Sequence, residues 1–187
     1  TVEINYLATK IIAEICKHNK INRFIFASTC SVYGIGDGIL TEESQVNPLS
    51  LYGVTKLKSE RSLLELADGN FSPTIFRLGT LYGLSPRMRF DLVINFFTAQ
   101  AVKNRKINVF GGEQWRPFLH VADAADAYIT CLETPLNEIG GEIFNLGSDE
   151  QNYKIKDIGS IIKKCIPEVE VMNNPEVKDR RDYRTSN

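Results

Sequence analysis

Short apolar runs alternate with segments of helical period along nearly all of this 187-residue chain, and that alternation limits the folds open to it. The stretches 24–27, 73–78, 107–110, 143–146 and 168–172 are brief and apolar, bounded by polar or turn-forming residues, and are expected to be strands. The first is expected to be buried. Between them, 51–66, 91–102, 121–132 and 156–165 repeat their apolar positions every three or four residues, as helices do. An earlier helix is marked by Ile4, Leu7, Ile11, Ile12 and Ile15. Asp91 is placed to cap the helix that follows it. Asp123 and Asp126 fall in early turns of theirs, where carboxylates suit the helix dipole. The glycine-rich stretch 34–38 opens no helix and is expected to be a flexible loop. Strands alternating with helices argue an α/β fold with a parallel sheet. The first two-fifths reads as half of a doubly wound one.

Composition narrows the functions. Hydrophobic residues make up 43% and charged residues 24%, ordinary proportions for a globular chain able to bury one good core. A net charge of -1 with no basic run gives no footprint for nucleic acid. No apolar stretch approaches the roughly 20 residues a membrane helix needs, so no membrane partner is expected. Cys16, Cys30, Cys131 and Cys165 have no C-x-x-C spacing and fit reduced, partly buried thiols of a cytoplasmic protein. No metal site is expected.

One pair of residues carries chemistry. In Ser50-Leu-Tyr-Gly-Val-Thr-Lys56, Tyr52 and Lys56 lie four apart at a helix start, 23 residues after the run that ends at Thr29. Side chains at i and i+4 share a helix face. An ammonium there favours the phenolate, and a phenol so tuned is a general base for an alcohol. The spacing alone recurs by chance: Tyr6 and Lys10 share it, where a half-buried Tyr beside a solvated Lys suffices.

The words around the pair are more specific. Phe26-Ala-Ser-Thr-Cys-Ser-Val-Tyr-Gly34 followed by Tyr52-Gly-Val-Thr-Lys56 resembles the extended short-chain dehydrogenase/reductase family, most closely its nucleotide-sugar epimerase/dehydratase branch. The resemblance continues in order through Arg77-Leu-Gly-Thr-Leu-Tyr-Gly83, Val109-Phe-Gly-Gly-Glu-Gln-Trp-Arg-Pro-Phe-Leu-His-Val-Ala-Asp123, Phe144-Asn-Leu-Gly147 and Arg181-Asp-Tyr-Arg184. It departs from the family in one large respect. The opening strand, Gly-x-x-Gly-x-x-Gly turn and helix that would cradle a dinucleotide pyrophosphate are absent from these residues. The chain therefore resembles the C-terminal two-thirds of an enzyme. It is expected to be inactive alone and prone to aggregate or unfold.

The resemblance implies a fold and a set of roles. Residues 1–82 would be the C-terminal half of a Rossmann-like cofactor domain. Residues 83–187 would be mostly an interleaved, smaller substrate-binding α/β subdomain, with segments near 107–147 returning to the main sheet. Tyr52 would be the base and acid, Lys56 its tuner and a contact of the nicotinamide ribose, and Thr29 the hydroxyl that bonds the reacting alcohol. Ser28 shares that position or merely closes the strand end, and Asn5 falls at a family cofactor contact, as do Ser28, Tyr52 and Lys56. Arg116 and Arg181 would bind the nucleotide-sugar phosphates, and backbone N–H groups at Leu92 would help. Thr80 and Arg87 would face the substrate. Cys30 reads as packing, and His120 as a residue that orients its own turn.

The resemblance further implies NAD, or NADP, as cofactor, a nucleotide-diphosphate sugar as substrate and a homodimer built on the Tyr52 helix and the one before it. Family dehydratases carry Asp-Glu directly after the Thr; here Cys30 and Ser31 stand there, which favours epimerisation or plain reduction/oxidation. A nucleotide-sugar reductase or synthase using NADP, and a non-catalytic nucleotide-binding module, are the alternatives.

Overall fold

The computed structural model describes residues 1–176 and 179–186. The chain enters through a π-helical turn, Glu3–Leu7, that runs directly into helix α1, Ala8–His18. Strand β1, Arg23–Thr29, follows; strand β2, Ile35–Leu40, leads to helix α2, Leu51–Leu66, and then to strand β3, Ser72–Leu78. Strands β1 and β3 pair in parallel from Arg23↔Ser72 to Thr29↔Leu78, so α2 is the crossover of a β-α-β unit. The chain returns to this sheet late. After strand β4 (Thr80–Tyr82), helix α3 (Val93–Asn104), strand β5 (Lys106–Phe110), strand β6 (Trp115–His120), helix α4 (Val121–Glu133) and helix α5 (Leu136–Ile139), strand β7 (Ile143–Leu146) lies parallel to β3.

Both faces of this sheet are covered, as a parallel sheet requires. Side chains alternate along β3: Ile75 packs with Phe26, Phe71, Leu63 and Ala13 under α1 and α2, while Phe76 packs with Cys131 of α4 and Ile139 of α5 on the other face. This is the doubly wound α/β architecture expected from the sequence. A second apolar cluster lies beyond it. Phe97 and Ala101 of α3 meet Ile107 and Val109 of β5, Phe118 of β6, and Ile155, Ile158 and Ile162 of helix α6 (Ile155–Cys165). Strand β8 (Asn152–Lys154) pairs with β6, strand β9 (Glu170–Asn174) with β5, and strand β10 (Asp182–Thr185) with β2.

Three local expectations are corrected. The glycine-rich stretch 34–38 is largely strand β2, because β10, arriving from the far end of the chain, supplies its ladder partners. Gly34 keeps a special role there: at φ +76°, a β-carbon on it would come 2.0 Å from the Asn47 carbonyl oxygen. Asp91 does not cap α3, which begins at Val93, because the Asp91 carboxylate is held by Arg89 Nε at 2.7 Å and Nη2 at 2.6 Å. Strand β1 is only partly buried: among the described residues it pairs with β3 alone, and Ala27 is exposed. Strands β4, β8 and β10 are short and half-buried, β6 is mostly buried, and the sequence pattern did not mark them.

Candidate active site

The parallel register delivers the end of β1 and the start of α2 to one place. Thr29 is the last residue of β1, and its Oγ1 accepts from the Ser31 N–H at 3.1 Å, which leaves its own proton free to point elsewhere. Ser50 caps α2 by accepting from the Gly53 N–H at 3.1 Å. Gly53 allows the close approach: a β-carbon there would lie 3.0 Å from the Ser31 carbonyl oxygen and 2.9 Å from Pro48 Cβ. Tyr52 is held beside it, 42% exposed. Thr29, Ser31, Ser50 and Tyr52 line one wall of a cavity of about 820 Å³.

Lys56 sits behind this wall. Its Nζ donates to the Ala27 carbonyl at 2.8 Å, lies 4.6 Å from the Phe26 ring centre and 6.0 Å from the Tyr52 ring centre. Burial pulls its ammonium below the usual lysine value, while Glu60 acts in the opposite direction. Cys30 is buried and donates its S–H to the Arg77 carbonyl at 3.1 Å. Burial pushes its thiol up to about 12, too weak an acid to supply a thiolate nucleophile.

The far wall is charged. Arg116, on β6, is 4% exposed; its Nη2 lies 2.9 Å from the Asp179 carboxylate and its guanidinium stacks 5.3 Å from the Tyr183 ring centre. Arg181 donates to Asp179 from Nε at 3.0 Å and Nη2 at 2.6 Å, and from Nη1 to Ser31 Oγ at 2.8 Å. Arg116 also donates to the Arg181 carbonyl. Burial raises the Asp179 carboxyl, but the two guanidiniums outweigh it and hold the group well below the usual carboxylate range. Two forked cations in a cleft are suited to phosphate oxygens. In this state they share one internal carboxylate.

The cavity gathers Ser28, Thr29, Tyr52, Thr80, Leu92, Arg116 and Arg181 from the residues singled out in the sequence. Asn5, Lys56 and Arg87 are not among the described residues that line it. Asn5 instead faces α2, its side-chain amide 3.5 Å from Thr55 Oγ1 and its carbonyl accepting from Ser59 Oγ at 2.6 Å. Arg87 is exposed. Two of the lining residues have prior commitments: the Ser28 hydroxyl donates to Glu60, and the Leu92 N–H donates to the Arg89 carbonyl at 3.3 Å. His120 orients its own turn, its Nδ1 accepting from the Ala122 N–H at 3.2 Å. Sequence reasoning missed Asp179 and Tyr183 on the far wall, and Ser31, which joins the two walls through Arg181. Asp179 lies two residues before Arg181 in the motif, the only local signal for it.

A doubly wound parallel sheet, with a Tyr–Lys helix beside a cavity backed by arginines, defines a Rossmann-like fold of the short-chain dehydrogenase/reductase type. The chain belongs to the NAD dependent epimerase/dehydratase family, whose profile matches residues 1–147. Among curated relatives, it is 34% identical over 160 residues to an uncharacterized UDP-glucose epimerase, YtcB, of Bacillus subtilis (strain 168), covering 84% of this chain and 49% of that protein. It is 28% identical over 163 residues to a UDP-glucose 4-epimerase of the same organism, covering 77% of this chain and 48% of that protein. Among solved structures, the UDP-glucuronic acid 4-epimerase from Bacillus cereus in complex with UDP-glucuronic acid and NAD superposes with a TM-score of 0.85 at 33% identity, covering 99% of this chain and 58% of that one. The chain thus spans about half the length of the curated relatives it matches.

Proposed function

We propose that the protein epimerises a nucleotide-diphosphate sugar through a transient keto intermediate. The supporting observation is the content of one cavity. A hydroxyl and a phenol occupy one wall, two arginines the other, and no acid stands next to Thr29. Tyr52 takes the proton of a sugar hydroxyl, Thr29 hydrogen-bonds the same oxygen, and Lys56 steadies the phenolate. Arg116 and Arg181 hold the diphosphate, so binding energy comes from the nucleotide end while the sugar stays free to turn.

The residues here fit the nicotinamide end of NAD. Lys56, half-buried and adjacent to Tyr52, offers an ammonium to a ribose hydroxyl, next to the reacting wall. NAD, when bound, supplies the hydride acceptor and returns the hydride. Asn5, bound to α2, and Ser28, bound to Glu60, contribute to that site through the elements they tie together. Thr80 and Arg87 belong to the sugar end in this reading. The supporting feature for a dimer is an exposed apolar row, Ile4, Leu7, Ile11, Ile12 and Ile15, on the first helix.

Elimination of water needs two groups, one to take a proton beside the ketone and one to protonate the leaving hydroxyl. Cys30, buried with its thiol near 12, and Ser31, bonded to Arg181, supply neither. The test is turnover of a nucleoside-diphosphate hexose with NAD in deuterated water, followed by proton NMR. Inversion at one carbon with no solvent deuterium in the sugar is expected. A keto-deoxy sugar labelled with deuterium beside its carbonyl would overturn the proposal.

A further inference from the structure

Glu60 is 1% exposed, on α2, one turn beyond Lys56 and two beyond Tyr52. Its carboxylate is gripped from two strands. Arg77 of β3, 4% exposed, donates to it from Nη2 at 2.8 Å and from Nε at 3.3 Å; Ser28 of β1, next to Thr29, donates from its hydroxyl. Arg77 Nη1 passes the connection on to the Tyr33 hydroxyl at 3.0 Å, which donates to Asn145 Oδ1 of β7 at 2.7 Å. One carboxylate therefore ties α2 to β1 and β3, and through Tyr33 to β7.

Stability is a poor explanation for such a pair. Taking two charges out of water costs about as much as their attraction returns, and apolar residues of similar volume often serve a core equally well. Geometry is the better one. The buried residues of α2 are mostly small or polar: Gly53, Thr55, Ser59 and Glu60, with only Leu57 and Leu63 as large apolar anchors. Leu64 and Leu66 add apolar packing at the far end of the helix, so at its Tyr52 end apolar packing alone leaves the rotation loosely set. A forked guanidinium–carboxylate contact has one good orientation.

We infer that Glu60, clamped by Arg77, is a positioning residue: it fixes the rotation of α2 on the sheet and so sets Tyr52 and Lys56 against Thr29. The inference rests on the proposed function for its kinetic consequences and on geometry for the rest. The groups facing Lys56 are Glu60 and Tyr52 on its own helix and the Ala27 carbonyl and Phe26 ring on β1. Glu60 is the carboxylate among those faces, and it counters the burial of the ammonium.

The experiment replaces the pair together, Glu60→Met with Arg77→Met, which removes both charges at similar volume. Cooperative unfolding is expected to persist, KM for the nucleotide sugar to stay within about 3-fold, and kcat to fall about 100-fold, the order expected when a reacting group is displaced by about 1 Å. In parallel, NMR titration of the Lys56 ε-carbon, which needs no turnover, is expected to move to lower pH. Should the double variant not fold, Arg77→Lys keeps the charge but loses the fork, and the same fall in kcat at steady KM is expected, smaller in size. Unchanged kcat together with an unchanged Lys56 titration would overturn the inference. A wild-type protein that carries the family's cofactor-binding segment and shows no turnover would count against the proposed function instead, and the Lys56 titration would still decide the role of Glu60.

Discussion

The two walls of the cavity are built by different means. The hydroxyl wall comes from residues 28–52, within one β-α-β unit, and its key groups are set by backbone geometry: a strand end, a helix cap and a glycine against the Ser31 carbonyl. The arginine wall is assembled from β6 and the segment before β10, 65 residues apart, and it is closed by side chains on side chains. The charges differ as well. Lys56 meets a carbonyl and an aromatic ring, with no carboxylate hydrogen-bonded to it among the described residues. Arg116 and Arg181 already share the Asp179 carboxylate, so an incoming diphosphate must replace a bond that exists. In the proposed function the first wall moves the proton, and the second exchanges one anion for another.

Four substitutions separate the walls, in falling order of effect. Tyr52→Phe removes the group that moves the proton, and turnover is expected to drop about 10³-fold, within the range of a lost general acid–base group. With Tyr52 42% exposed, its thermal unfolding should shift little. Arg116→Ala removes a charged donor from the far wall; affinity for the nucleotide sugar, measured by calorimetry, is expected to weaken about 100-fold, as loss of one or two charge-assisted hydrogen bonds predicts. Gly53→Ala presses a methyl group onto the Ser31 carbonyl and Pro48, lifting the start of α2. Steady-state kinetics should show kcat down about 10-fold or more with KM little changed.

Asp179→Asn gives the smallest effect and the opposite sign: with the internal anion gone, pyrophosphate and nucleoside diphosphates should bind about 10-fold more tightly by calorimetry, roughly one charge-assisted hydrogen bond gained. The same variant tests a pH dependence. The Asp179 carboxyl is held below its unfolded value, so the stability it contributes is present above the ordinary carboxylate range. It is lost as pH falls through the folded value. Thermal melts of the wild type should therefore decline from about pH 4 downward more steeply than those of Asp179→Asn.

The same contrast explains what could be read from the sequence. Helix α2 was legible to the residue, because Ser50 caps its start and its period is local. Thr29 and Tyr52 line one cavity, since a parallel β-α-β crossover brings a strand end beside the next helix start; their roles came from the resemblance. The doubly wound sheet followed from alternation alone. What stayed hidden depends on long-range pairing. Strand β2 looked like a loop because its ladder comes from β10, about 145 residues later. Ser31 meets Arg181 across 150 residues, and no local pattern predicts that contact. Asp91 carried a cap signal, but Arg89, two residues away, bound its carboxylate first. Ser28 was legible as a hydroxyl in the right place, while its capture by Glu60 was not.

The central claim is that proton transfer and diphosphate binding belong to opposite walls of one cavity. The most direct test is the dissociation constant of a nucleoside-diphosphate sugar for Tyr52→Phe, by isothermal titration calorimetry beside the wild type. The two-wall account predicts a value within about 3-fold of the wild type in a protein that no longer turns over. A loss of affinity as large as the loss of turnover would contradict it, because Tyr52 would then be holding the substrate rather than moving its proton.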